Sequence, residues 1–147
     1  MEIIRSLTAD VEPHDLFVHV DDIADYPAWM PLVHDVERLT DDASTGTPAW
    51  SVELRAQVGP FARSKRLRME RTELVEDRTA VFERREADGR DHSEWVLRAD
   101  LDVAEDGRTV LTMTMSYDGS LWAGPILERV LDDQVRRGSE RLLALVS

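Results

Sequence analysis

The chain has 147 residues, 42% of them hydrophobic, which suits one domain over residues 1–147 because a single core can then bury most apolar side chains. Its 18 Lys and Arg against 30 Asp and Glu give a formal charge of −12, which repels nucleic-acid phosphates and anionic lipid surfaces. The absence of cysteine excludes disulfides, thiolate zinc sites and a cysteine nucleophile.

The first predicted element is a strand over roughly Glu2 to Ala9. Pro13 then stands where the first turn of a helix tolerates proline, and apolar residues follow it at one-face helical spacing: Leu16, Phe17, Val20, Ile23 and Ala24. Pro27 can open a second helical turn through Trp29 and Met30, and Pro31 prevents its continuation. The first strand is therefore expected to lead into a pair of short helices.

From His34 to Asp118 the dominant period is two, which predicts a run of about six strands with one buried and one wet face. Gly59-Pro60 and Asp106-Gly107 are typical of tight turns between them. The predicted buried face comprises Trp50, Val52, Leu54, Ala56, Val58, Leu67, Met69, Trp95, Leu97, Ala99, Leu101, Val103, Leu111, Met113, Met115 and Tyr117.

After Gly119 the period becomes that of a helix, predicted from about Leu121 to Val146. Its apolar stripe comprises Leu127, Leu131, Val135, Gly138, Leu142 and Leu145. Such a helix can cross a whole sheet and bury its apolar face in the sheet's concavity. We therefore predict an α+β architecture in which a curved antiparallel sheet of six to seven strands surrounds the C-terminal helix.

Three segments carry a family resemblance: Ala24-Asp-Tyr-Pro-Ala-Trp-Met-Pro31, Gly59-Pro-Phe-Ala-Arg-Ser-Lys-Arg-Leu-Arg68, and Leu121-Trp-Ala-Gly124 before the long helix. In this order they resemble the START-like superfamily, also called SRPBCC, in its polyketide cyclase/dehydrase and lipid-transport branch. The resemblance covers nearly the whole chain and implies the helix-grip fold of the birch-pollen-allergen type. It also implies an internal cavity in which members of such families carry lipids, steroids or polyketides, or catalyse cyclisation.

Large, soft side chains dominate the predicted inner face and would suit a flat apolar ligand. For any one of these side chains, core filling is the alternative. The prediction of a cavity of at least a few hundred cubic ångströms near Trp29, Trp50, Trp95 and Tyr117 therefore depends on all of these side chains taken together. The expected ligand-binding residues of this kind are Trp29, Trp50, Leu54, Met69, Phe82, Trp95, Leu97, Met113, Met115 and Tyr117.

Three further candidates each have two interpretations. Gly138 interrupts the helix stripe and leaves room either for a ligand or for close approach of a sheet side chain such as a tryptophan. Arg71 and Arg84 share the parity of buried neighbours, so either guanidinium could hold a carboxylate or enolate oxygen in the cavity, or reach solvent at a strand end. Arg66 and Arg68 are expected outside, pairing across strands with Glu53 or Glu83.

Signals of catalysis and of metal binding are weak. His14, His19, His34 and His92 form no HExxH motif, the serines lack a nucleophile elbow, and no phosphate-binding glycine loop is present. We therefore expect no metal and no cofactor. If the chain has an activity, Tyr117, His34 and Arg71 are the candidates for acid, base or oxyanion stabiliser.

The leading interpretation is a carrier or sensor that binds one apolar or amphipathic small molecule. A polyketide aromatase/cyclase-like enzyme using the same cavity is the alternative, and an interaction protein of the ribosome-associated toxin or coenzyme Q-binding type is a third. We expect no nucleic-acid partner and leave a homodimer open. The N-terminus lacks a signal peptide and no stretch approaches the ~18 apolar residues of a membrane span, so a cytoplasmic location without membrane insertion is expected.

Overall fold

A computed structural model describes residues 2–40, 46–58, 60–118 and 125–147. It contains, in chain order, β1 (Glu2–Ala9), α1 (Pro13–Phe17), a 3₁₀ helix (Ile23–Ala28), β2 (Val33–Arg38), β3 (Ala49–Val58), β4 (Phe61–Val75), β5 (Thr79–Arg84), β6 (Trp95–Val103), β7 (Thr109–Tyr117) and α2 (Pro125–Val146). The predicted first strand has the predicted bounds. Of the predicted C-terminal helix, residues 121–124 lie outside the described residues.

The strands form one antiparallel sheet in the order β1-β7-β6-β5-β4-β3-β2. Each strand from β2 onwards pairs with its successor in the chain, and β1 pairs with the last strand, β7. Helix α2 contacts both β1 and β3, although four strands separate these two in the sheet. A single helix reaches both only if the sheet curves around it, so the predicted helix-grip fold and its strand number are confirmed.

One stripe of α2 enters the core because its apolar residues recur every three or four positions. Leu131, Val135, Gly138 and Leu142 are buried, as the sequence pattern predicts. Leu145 was predicted in this stripe wrongly, since its side chain is 51% exposed. Its neighbour Val146 packs against the core instead, because the last turn of the helix presents that side to the sheet.

Alternation along β3, β6 and β7 places the predicted residues inside, with one exception among the described side chains, which do not include that of Val58. Trp50, Leu97 and Tyr117 are buried, and their chain neighbours are more exposed. Val103 is 61% exposed, so its predicted burial is wrong. It stands at the last position of β6 and lines a surface cavity together with Pro13, so its side chain meets solvent.

The two short helices differ in their bounds from the prediction. Helix α1 ends at Phe17, and Ile23 and Ala24 belong to the 3₁₀ helix. The side chain of Asp22 accepts a hydrogen bond from the backbone N–H of Ala24 at 2.9 Å, which caps this second helix before Pro27 is reached. Pro27 therefore lies inside the second helix and does not open it.

The described residues contain no helix with both the length and the apolar content that crossing a membrane requires.

Candidate functional site

Five predicted site residues form a line across the inner face of the sheet, which we call the inner row. Trp50, Met69 and Arg84 are direct cross-strand neighbours on β3, β4 and β5. Trp95 and Tyr117 are neighbours on β6 and β7. Glu83 pairs with Val96, so the same antiparallel register sets Arg84 opposite Trp95 and joins both halves of the row.

Aromatic rings stand at both sides of the inner row. The rings of Trp95 and Tyr117 stack, with centroids 5.0 Å apart and an interplanar angle of 20°. At the other side, Trp50 meets Phe82 edge to face at 5.5 Å. Trp50 and Trp95 are almost fully buried, so the row offers flat apolar walls within the core.

Arg84 has no more than 9% of its side chain exposed, a rare position for an arginine. Its Nε donates to Glu86 at 2.9 Å, and Nη1 donates to the carbonyl and the hydroxyl of Ser93, both at 3.2 Å. Nη2 lies 3.3 Å from Nδ1 of His92. Four of the five guanidinium N–H groups are therefore used by the protein itself, which holds the loop after β5 against the row.

The contact with Arg84 also assigns the tautomer of His92. A guanidinium can only donate, so Nδ1 of His92 accepts and its Nε2–H donates to Asp88 at 2.8 Å. The hydrogen bonds from the backbone N–H of Arg90 and from His92 lower the pKa of Asp88. The resulting chain of hydrogen bonds fixes the geometry on one side of Arg84.

Lys65 is a second cation beside Arg84. Its Nζ lies 3.4 Å from the hydroxyl of Ser93, the same hydroxyl that Arg84 contacts. Burial and the charge of Arg84 lower the pKa of Lys65, while the charge of Glu86 raises it. We call Lys65, Arg84, Glu86, His92 and Ser93 the basic cluster.

A cavity of about 420 Å³ adjoins the basic cluster. Residues 83–86 and 90–96 line it, so it includes both Arg84 and Trp95 of the inner row. This volume lies within the range of small-molecule pockets, ~300 to 1,000 Å³. The internal cavity of at least a few hundred cubic ångströms predicted around Trp29, Trp50, Trp95 and Tyr117 stays a prediction.

Arg71 lies on the inner side of β4 but binds the chain rather than solvent. Its Nη1 donates to the backbone carbonyl of Asp21 at 2.8 Å, and its guanidinium lies 5.8 Å from the ring centroid of Trp50. Arg38 approaches the same ring at 4.9 Å. The indole N–H of Trp50 is buried without a hydrogen-bond partner among the described residues.

Trp29 is fully buried, and the protein itself engages its polar group. Its Nε1 donates to the carbonyl of His19 at 3.0 Å, and its ring centroid is 4.8 Å from that of Tyr26. The hydroxyl of Tyr26 donates to the carbonyl of Val20 at 2.9 Å, and burial raises the pKa of this phenol far above its ordinary value. Both polar groups are therefore satisfied within the segment that connects β1 to β2.

The same connecting segment explains Gly138. A Cβ at this position would lie 3.2 Å from the carbonyl oxygen of Trp29 and 3.3 Å from the Cα of Met30. These distances favour close packing over room for a ligand at this point. The nearest atoms belong to the backbone after the 3₁₀ helix, and Cε3 of the Trp29 ring follows at 3.5 Å, so the tryptophan approaches from the connecting segment and not from the sheet.

The remaining predicted residues are buried next to the inner row. Phe82, Leu97 and Met115 are cross-strand neighbours. They lie two residues along their strands from the inner row, and Met113 lies two residues further along β7. Leu54 is buried opposite Lys65. The structure thus brings Trp50, Met69, Phe82, Arg84, Trp95 and Tyr117 into one region. Trp29 is joined to this region through Tyr26, whose ring centroid lies 4.8 Å from that of Trp29 and 5.8 Å from that of Phe82.

The three residues proposed for chemistry do not converge. His34 is exposed on β2 and lies 3.7 Å from Glu53, Arg71 is engaged by Asp21, and Tyr117 stacks on Trp95. Arg66 pairs with Asp35 and, as expected, with Glu53. Arg68 pairs with Glu70 on its own strand, so the expected pairing partners were wrong for this residue.

Sequence reasoning overlooked Lys65, Ser93 and His92 as parts of the site. Lys65 could have been found, because it shares the strand parity of Leu67 and Met69, which are buried. Ser93 and His92 follow no periodic pattern, since they lie between β5 and β6.

A second group of polar side chains lies at the opposite end of β5. His14, Glu76 and Asp77 bring one ligand-type atom each within 4.8 Å of one another, and His14 Nδ1 lies 2.8 Å from Asp77. The hydrogen bond to Asp77 raises the pKa of His14. Because the group is largely exposed, an ordinary surface ion pair accounts for its geometry.

Comparison with known protein families gives one match over nearly the whole chain. The model of the family described as polyketide cyclase / dehydrase and lipid transport matches residues 2–146. The comparison with curated proteins found no match.

Solved structures share the fold at low sequence identity. A START superfamily protein from Mycobacterium smegmatis superposes with a TM-score of 0.70 at 14% identity, covering 99% of this chain and 96% of that one. The Zhui aromatase/cyclase from Streptomyces sp. R1128 gives 0.69 at 13% identity, with 99% and 93% covered. Ara h 8.0201 gives 0.64 at 14% identity, with 99% and 97% covered.

Proposed function

Since the chain belongs to the polyketide cyclase/dehydrase and lipid transport family, in the START-like superfamily, we propose that it binds one apolar or amphipathic small molecule along the inner row, as a carrier or sensor. The row itself is the observation that carries the proposal. It combines buried aromatic surface at two sides with a polar group at its centre, Arg84. Ligand sites commonly pair apolar walls with a few placed polar groups.

The buried indole N–H of Trp50 supports this placement. A buried donor without a partner is uncommon in folded proteins, because desolvating it costs free energy that a hydrogen bond would offset. A carbonyl or hydroxyl oxygen of a ligand would accept from it. A cavity of about 420 Å³ adjoins the row at Arg84 and Trp95.

The polar side chains in and beside the inner row favour binding over catalysis. Most N–H groups of Arg84 donate to Glu86, Ser93 and His92. Arg71 donates to the backbone carbonyl of Asp21. No nucleophile with an adjacent base is found in the row among the described residues. An arginine that stays hydrogen-bonded to the protein can orient a ligand, whereas acid–base catalysis requires a group that transfers a proton.

The test is a titration with N-phenyl-1-naphthylamine, an uncharged fluorescent probe. We expect about one site per chain and a loss of about tenfold or more in affinity in Trp95→Ala, because buried tryptophans dominate such contacts. Val103→Ala is the matched control, since it changes an exposed apolar side chain at the far end of the same strand. Equal loss in both variants, or no binding by the wild type, would contradict the proposal.

A further inference from the structure

We propose that the ligand of the inner row carries a carboxylate, and that Lys65 is the residue that selects it. This inference rests on the binding function proposed above and adds the charge of the ligand to it. Three observations support it: the position of Lys65, the absence of an ion pair to it among the described residues, and its contrast with the neighbouring basic residues.

The strand register places Lys65 on the inner side of the sheet. It lies two and four positions before Leu67 and Met69, which are both buried, and opposite Leu54 on β3. Side chains at alternate positions of a strand share a face. Contact with Ser93 directs its ammonium group toward the loop that also contacts Arg84.

The charge of Lys65 is not neutralised within the described residues. Its hydrogen bond there is the one to the neutral hydroxyl of Ser93, and no described carboxylate lies within 4.0 Å of Nζ. Arg84, by contrast, holds Glu86 at 2.9 Å. An ammonium has three N–H donors, so two of those on Lys65 remain for a ligand.

Neighbouring basic side chains are engaged, which makes Lys65 the exception on β4. Arg66 contacts Asp35 at 2.9 Å, Arg68 contacts Glu70 at 3.3 Å, and Arg71 donates to the carbonyl of Asp21. A partly buried cation without an ion-pair contact is unfavourable: burial and Arg84 lower the pKa of Lys65, and the charge of Glu86 offsets this only in part. A ligand carboxylate at this position would relieve both effects.

A carboxylate fits better than a more highly charged group. The chain has a net charge of −12, so each additional negative charge on a ligand raises the long-range repulsion. One ammonium with two remaining donors matches the charge and the two oxygens of a single carboxylate. The apolar remainder of the molecule would then extend along the inner row toward Trp95.

The test compares two ligands that differ only in the headgroup. Dodecanoate and 1-dodecanol compete with N-phenyl-1-naphthylamine for the wild type, Lys65→Met, Lys65→Arg and Arg66→Gln. We expect the wild type to prefer dodecanoate by about tenfold, the scale of one hydrogen bond to a charged group. Lys65→Met should lose the preference while still binding 1-dodecanol, and Lys65→Arg should retain it. Arg66→Gln, on the outer face next in the chain, should also retain it.

The outcomes separate this inference from the proposed function. Equal affinity of the wild type for both ligands, or an unchanged preference in Lys65→Met, overturns the role of Lys65 and leaves the binding function intact. Failure of both ligands to displace the probe, or failure of the probe to bind, overturns the binding function and this inference with it. Thermal unfolding of each variant checks that it is folded.

Discussion

The connecting segment around Trp29 has a fully buried Tyr26 and Trp29, whereas the basic cluster around Arg84 is partly exposed, and the two regions satisfy their polar groups in opposite ways. Tyr26 and Trp29 donate to backbone carbonyls of their own segment, so both donors are used within the protein. At the basic cluster, Arg84 is nearly saturated and the adjacent Lys65 is not. The difference indicates that one region is built for packing and the other retains binding capacity.

The largest effect should come from removing the centre of the packed region. Trp29→Ala deletes a fully buried indole and leaves the carbonyl of His19 without its donor, so we expect a loss of about 3 to 5 kcal/mol in the free energy of unfolding. Urea unfolding measures it. A loss below about 1 kcal/mol would mean that Trp29 lines open space and would break the comparison.

A smaller loss is expected at the basic cluster. Arg84→Met keeps the volume but removes the bonds to Glu86, Ser93 and His92, which should cost about 1.5 to 3 kcal/mol on the scale of charged hydrogen bonds. Arg98→Met is the control, because its ion pairs with Asp100 and Glu73 are exposed and should be worth no more than about 1 kcal/mol. Equal losses in the two variants would show that Arg84 has no special structural role.

A substitution at Gly138 tests the packed region from the side of helix α2. Gly138→Leu must displace the backbone of Trp29 and Met30, so we expect it to cost about 1 to 3 kcal/mol of stability and leave the affinity for N-phenyl-1-naphthylamine unchanged. Arg141→Leu, an exposed change three residues later on α2, should be close to neutral. A stabilised Gly138→Leu with reduced affinity would place the ligand beneath this part of the helix.

The smallest expected effect on stability concerns the ion pair between His14 and Asp77, which lies outside both regions. Asp77 raises the pKa of His14 above its unfolded value of 6.5, so the protonated histidine stabilises the fold at low pH. This contribution is complete below that value and is lost as the pH rises through the folded pKa. Tm should therefore fall less between about pH 5.5 and about pH 8.5 in Asp77→Asn than in the wild type. Identical pH profiles would contradict the assignment.

The strand pattern was predictable because each strand has one buried and one wet face, as Trp50 to Ala56 and Trp95 to Leu101 illustrate. The sequence pattern also predicts where the long helix buries Leu131, Val135 and Leu142. In contrast, the neighbour of Gly138 could not be predicted, because the backbone that meets it lies more than a hundred residues away in the chain. Periodicity identifies a face and leaves its partner open.

Parts of the candidate site were predictable to different degrees. That the members of the inner row face inwards follows from parity, whereas their alignment across the strands depends on the register, which parity leaves open. The partners of Arg84 depend on how the loop after β5 folds back, and no repeating pattern in residues 85–94 records that. Val103 shows the limit of parity, since this residue at the end of β6 has the inward parity and is 61% exposed.

The central claim is that a ligand binds along the inner row and not beside Gly138. The most direct measurement is an NMR titration of the indole N–H resonances with 1-dodecanol, because Trp29 donates to His19 while the indole N–H of Trp50 has no described partner. We expect the resonances of Trp50 and Trp95 to shift on binding and that of Trp29 to stay in place. A shift of the Trp29 resonance with those of Trp50 and Trp95 unchanged would contradict the account.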